Sequence, residues 1–117
     1  YNCLAWAVND SANWWWPDED SFWPERLIRT YSLETFIAAY EANGFHVCDS
    51  ARHEPGFERI AIYANDEGPQ HAARQLPDGT WTSKLGPWED IVHATLEAIE
   101  CSTYGRAVKY LKRPIRT

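Results

Sequence analysis

In order along the chain stand Phe57-Glu58-Arg59-Ile60-Ala61-Ile62-Tyr63-Ala64, the turn Asn65-Asp66-Glu67-Gly68, the stretch Gln70 to Leu76, the turn Pro77-Asp78-Gly79 and the stretch Thr80 to Leu85. Ile60 and Ile62 alternate with smaller or polar neighbours, the period of a strand with one face buried. The two turns are rich in residues that suit tight reversals, so three strands follow one another as two hairpins. Consecutive hairpins imply an antiparallel sheet. A three-residue Pro77-Asp78-Gly79 loop pairs Leu76 with Thr80 and sets His71 opposite Leu85, which makes Ser83 a diagonal neighbour of His71 on the same face. A two-residue loop shifts the register by one and presents Lys84 instead.

Outward from this core, Gly86-Pro87 interrupts the pattern. Trp88 to Glu100 then places Ile91, Leu96 and Ile99 among good helix formers, which predicts a helix or two short turns. Gly105 opens Arg106 to Lys112, an alternating stretch that predicts a last strand closing the sheet. On the other side, Leu33, Phe36, Ile37 and Tyr40 form an i, i+3, i+4, i+7 stripe between Ser32 and the Asn43-Gly44 stop, predicting an amphipathic helix over 32–43. Phe45 to Cys48 reads as a short strand. The fold class that results is α+β, with helices packed on an antiparallel sheet.

The first segment, Tyr1-Asn2-Cys3-Leu4-Ala5-Trp6-Ala7, suits a helix with Asn2 as its N-cap and Cys3 in the first turn. Free backbone N–H groups and the positive end of the helix dipole stabilise a thiolate there. Thiol hydrolysis needs such a thiol, an imidazole that shares its proton and a group that orients the imidazole. Cys3 and His71 are the pair that meets the first two needs. For the third, Ser83 is preferred to Lys84, because a cation beside His71 disfavours an imidazolium; a backbone carbonyl or a water also fits. The Cys3 backbone N–H is the natural oxyanion donor, and Asn2 either adds its amide or serves as a plain cap.

These two motifs, Cys3 at the start of a helix with small and aromatic residues behind it, and His71-Ala72-Ala73-Arg74-Gln75-Leu76 running through a turn into Gly79-Thr80-Trp81-Thr82-Ser83-Lys84-Leu85-Gly86, resemble papain-like cysteine hydrolases. The compact bacterial branch with NlpC-type peptidases and amidase-like relatives is nearest. The resemblance implies a Cys-bearing helix on an antiparallel sheet, Cys before His in chain order, and a polar third residue downstream. This sequence departs from the pattern in having no His, Asn or Asp at the usual place on the strand after His71.

The remaining features bound the function. Across 117 residues, 44% hydrophobic and 24% charged, the chain suits one folded domain spanning 1–117, read as part of a slightly longer protein. Eleven Lys and Arg against seventeen Asp and Glu give a net charge of -6, which disfavours nucleic acid as a partner. The basic group Lys109, Lys112, Arg113 and Arg116 reads as a solvated strand end. No apolar stretch reaches the roughly 20 residues that cross a bilayer, so no membrane partner is expected.

Cys3, Cys48 and Cys101 lack zinc spacing and cannot all pair, which favours reduced thiols and a cytosolic setting. No metal or cofactor is implied. His46, His53 and His93 fall on separate predicted elements and read as structural or solvated, as do Cys48 and Cys101. The stretch Asn9 to Thr30 carries Trp14, Trp15, Trp16, Phe22 and Trp23 around an acidic run, Asp18-Glu19-Asp20, and reads as a long aromatic loop. Its tryptophans serve either as core packing or, with Trp6 and Trp81, as a wall for substrate: Trp6, Trp15, Trp16 and Trp81 are the candidates. The function these residues point to is cleavage of an amide, in a peptide or isopeptide, through a Cys3 acyl-enzyme. A catalytically silent module and a Cys-His acyltransferase or transglutaminase-type enzyme are the alternatives.

Overall fold

The computed structural model describes residues 2–8, 10, 12, 14–17, 23, 32–85 and 89–115. Most of the aromatic loop, including the acidic run, lies outside the described residues, as do Gly86, Pro87, Trp88 and Arg116. Among the described residues two helices and six strands succeed one another as α1 (Cys3–Ala7), α2 (Leu33–Glu41), β1 (His46–Cys48), β2 (Phe57–Asn65), β3 (Gly68–Gln75), β4 (Trp81–Lys84), β5 (Asp90–His93) and β6 (Arg106–Pro114), with a short 3-10 turn at Leu96–Ile99. The strands form one sheet in the order β1-β6-β2-β3-β4-β5, every neighbouring pair antiparallel. The fold is therefore α+β.

The second helix starts where its cap predicts: the Ser32 hydroxyl accepts from the Thr35 N–H, 3.2 Å away. Its apolar stripe turns Phe36, Ala39 and Tyr40 into the core. The β3–β4 hairpin takes the three-residue loop. Leu76 N–H donates to Thr80 O at 2.7 Å and Gly79 N–H to Leu76 O at 2.9 Å, while Gly79 adopts φ 92°, a left-handed conformation that glycine enters at little cost. Register follows, with Gln75 opposite Trp81 and Arg74 opposite Thr82.

Strand alternation sorts the buried residues onto two faces. Ile60, Ile62, Ala72 and Leu111 join Leu4, Phe36, Tyr40 and Phe45 beneath the two helices. Ala61, Tyr63, Ala73 and Trp81 point the other way and pack with Leu96 of the 3-10 turn, flanked by Ile99, Tyr104 and Tyr110. The helix that carries Cys3 packs on β3 and β4. Trp6 pins it there, its indole N–H donating to Thr82 Oγ1 at 3.0 Å while the Arg74 guanidinium lies 5.0 Å over its ring.

Two expectations are corrected. Residues 90–93 are a strand and not part of the helix or two short turns expected over 88–100. The free edge of β4 offers hydrogen-bond partners that the Ile91-Val92 pair, β-branched and poor at helix interiors, takes up. The stretch becomes regular again only at Leu96–Ile99, as a single 3-10 turn. The last strand, moreover, does not close the sheet at an edge. β6 lies between β1 and β2.

The basic group on β6 is largely spent inside the fold. Lys112 Nζ donates to Glu54 at 2.9 Å, and Arg59 reaches the same carboxylate at 3.2 Å. Arg113 pairs with Glu58 and lies 4.2 Å over the Phe45 ring.

Candidate active site

Asn2 caps α1 through its side chain, its Oδ1 accepting from Ala5 N–H at 3.2 Å. The same oxygen accepts from Trp15 N–H at 3.0 Å, and the amide nitrogen donates to Trp15 O at 2.6 Å. Asn2 is thus a cap and a clamp on the aromatic loop. Its contribution to an oxyanion site is corrected accordingly: the amide is committed to the main chain, and the residue is buried.

This cap holds Cys3 in the first turn, 8% exposed. Burial pushes the thiol up to about 11, against backbone N–H groups of Ala72, Leu4 and Cys3 itself that pull the other way. Those amides are donors that the start of a helix leaves free, joined by one from β3.

His71 precedes Ala72 on β3, and strand alternation turns its ring to the face of Tyr63 and Ala73, opposite the one that Ala72 shares with Cys3. The ring is fully buried between aromatic neighbours, stacked on Tyr104 at 4.5 Å with an angle of 19° and edge-on to Tyr63 at 5.3 Å. Burial pushes its pKa down to about 3, with the charge of His93 a smaller cause in the same direction. The Tyr104 phenol is raised by its own burial first and by the Cys3 charge second.

The third residue sits where the hairpin register sends it. His71 Nε2 lies 3.0 Å from Ser83 Oγ. Ser83 Oγ is in turn 2.8 Å from His93 Nε2, and His93 Nδ1 is 2.8 Å from the Thr95 carbonyl oxygen. His71 Nδ1 is buried and makes no hydrogen bond, to Cys3 or to any other described residue. The participation of His93 escapes sequence reasoning because the sequence predicts a helix or two short turns where β5 forms. The signal available was the Ile91-Val92-His93 run beside the free edge of β4.

Of the four tryptophans proposed as a wall, two are corrected. Trp15 is 3% exposed, stacked on Tyr40 at 6.2 Å, with its indole donating to Asp10 at 2.8 Å. Trp81 is 3% exposed in the core of the opposite face. Both are packing mass, as large aromatic surfaces over a small core tend to be. Trp16 packs edge-on against Phe36, and Trp6 is half-buried at the α1–β4 contact.

An open polar cleft of about 410 Å³ is lined by Asn65, Asp66, Glu67, Gln70, Ser102 and Thr103. Two of these are chain neighbours of His71 and Tyr104. Among the described residues no group of His, Cys, Asp and Glu is arranged to hold a metal ion, and no helix is long and apolar enough to cross a membrane.

No curated protein and no solved structure matches the chain. A family model does match, over residues 1–112, and the chain belongs to the family it describes, Domain of unknown function (DUF7689).

Proposed function

We propose that this protein is a papain-like thiol hydrolase that cleaves an amide bond in a peptide or isopeptide, with Cys3 as nucleophile and His71 as general base. The observation that carries the reading is Cys3 in the first turn of α1, a helix that packs on β3 and β4, with the His71 ring of β3 held by Ser83. In the reaction the Cys3 S–H proton passes to His71 Nδ1 as the sulfur bonds to the substrate carbonyl carbon. The carbonyl oxygen takes up the electron pair and is held by the backbone amides. Collapse breaks the C–N bond, and the leaving amine takes the proton from His71. Water, losing a proton to His71, then attacks the thioester, and the carboxylic acid departs as the thiol is restored. The sulfur–imidazole hydrogen bond this requires is not made at rest, where the His71 ring packs on Tyr63 and Tyr104, and the reading needs the two groups to be brought together when substrate binds.

The deep burial of Cys3 and its raised thiol pKa favour a second reading, a catalytically silent module of the same fold. Acylation separates the two. Incubation with p-nitrophenyl acetate at neutral pH, followed by intact-mass analysis and peptide mapping, is expected to place an acetyl thioester on Cys3 and not on Cys48 or Cys101. The His71→Ala variant should lower its rate by about a hundredfold. A protein that acylates Cys3 no faster than Cys48, or whose His71→Ala form acylates as fast as the wild type, is the silent module.

A further inference from the structure

We infer that His93 is a positioning residue that acts through Ser83 to fix the tautomer of His71, leaving the Nδ1 lone pair as the free base atom. The inference rests on the reading of His71 as the base. It follows from the direction of three hydrogen bonds. The Thr95 carbonyl can only accept, so His93 Nδ1, 2.8 Å away, carries the proton. With one proton on the ring, His93 Nε2 is an acceptor, and the Ser83 hydroxyl 2.8 Å away donates to it. That hydroxyl has spent its proton, so its oxygen accepts from His71 Nε2–H at 3.0 Å. His71 is thereby the Nε2–H tautomer, and its buried Nδ1, which has no hydrogen-bond partner among the described residues, is a bare lone pair.

The chain runs in one sense from His71 to the Thr95 main chain. Had the terminal group been a donor, each bond would reverse and His71 Nδ1 would carry a proton, unable to take one from a thiol. A proton accepted at Nδ1 during acylation leaves all three bonds unchanged in direction, so the ring can charge without reorganising its support. The element that makes this arrangement is the β4–β5 pairing, which sets Trp81 opposite His93 and Ser83 opposite Ile91. Ser83 and His93 thus sit diagonally across two neighbouring strands on one face.

The test is a long-range proton–nitrogen correlation spectrum of the full chain labelled with ¹⁵N-histidine at neutral pH. The inference expects one proton on each ring, at Nε2 of His71 and Nδ1 of His93. A proton at Nδ1 of His71, or two protons on His93, overturns it. Acylation of Cys3 supplies a second measurement. His93→Leu, which removes the acceptor for Ser83, should slow it at least about tenfold, and His93→Gln, whose amide oxygen can accept that hydroxyl, should recover most of the loss. Equal rates for His93→Leu and wild type overturn the inference even when acylation itself is fast. Tautomers as stated in a protein whose Cys3 does not acylate uphold the positioning role and sink the hydrolase reading instead. Should His93→Leu not fold, the wild-type spectrum decides alone.

Discussion

At the scale of single residues, burial sets the resting state of the pair. The thiol of Cys3, at about 11, stays protonated at neutral pH, and the imidazole of His71, at about 3, stays unprotonated. Thiol and ring are then both neutral at rest, and in the proposed hydrolysis charge would separate only on the encounter with substrate. Stability should record the same burial. The folded pKa of His71 lies below its unfolded value of 6.5, so the unfolded chain binds the extra proton and stability falls as pH drops from about 6.5 towards 3. By pH 4 the loss from this one group approaches roughly 3 kcal/mol. Urea denaturation of wild type and His71→Gln at pH 7 and pH 4 should show a smaller acid loss in the variant; equal losses would place the acid sensitivity elsewhere. Cys3 acts at the other limb. Its folded pKa is raised, so its contribution is intact below about 9 and lost as pH climbs towards 11.

At the scale of elements, two short pieces position the site. The single-turn helix α1 depends on Asn2, which both caps it and holds Trp15. Asn2→Ala should cost about 1–2 kcal/mol, measured by thermal or urea unfolding, with a larger proportional loss of Cys3 acylation because the first-turn amides are then free to fray. The turn from Cys101 to Gly105 presents Tyr104 to His71 and is gripped by Asn65, whose amide donates to the carbonyls of Ser102 at 3.2 Å and Thr103 at 3.1 Å. Gly105 has φ 78°, and a Cβ there would stand 1.8 Å from the Ala64 carbonyl oxygen. Gly105→Ala is therefore expected to destabilise by more than about 3 kcal/mol or to move Tyr104 off the ring. Unfolding by urea, with tyrosine ring-current shifts on His71 as the local readout, distinguishes those results from an unaffected protein.

Elements also show where sequence reading works. The helix at Leu33–Glu41 was legible because stripe, cap and stop agree with one another. The β3–β4 hairpin was legible because Pro77-Asp78-Gly79 leaves few ways to turn, and that register brings Ser83 to His71. Strand β5 was not: Ala94, Glu97 and Ala98 carry strong helix propensity, and only the unpaired edge of β4, a tertiary fact, overrides it for the residues just before them. With β5 misread, His93 had no route to Ser83. The tryptophans were ambiguous for a different reason, since composition alone does not say whether an aromatic faces core or cleft.

At the scale of the whole molecule, the sheet order matters more than any one contact. Among the described residues, β1 pairs only with β6, and β6 is also the neighbour of β2. Ending the chain before Arg106 should release β1 and expose the edge of β2, giving loss of cooperative unfolding by circular dichroism; a truncated protein that still unfolds cooperatively would show that β2–β5 stand alone. The cost is topological as well as energetic, because β1 and β2 are close in sequence yet are separated in the sheet by a strand that comes much later.

The central position of β6 also has a meaning for the order in which the protein is made. On the ribosome Cys3 emerges early, while the strand that seats β1 and carries Leu111 into the core beneath the helices emerges last of the described elements. Until then the sheet under α1 lacks the strand that joins β1 to β2. Completion of the sheet thus waits until β6 threads between two already synthesised strands, so a ribosome-bound intermediate carries Cys3 before it carries the finished site proposed for it.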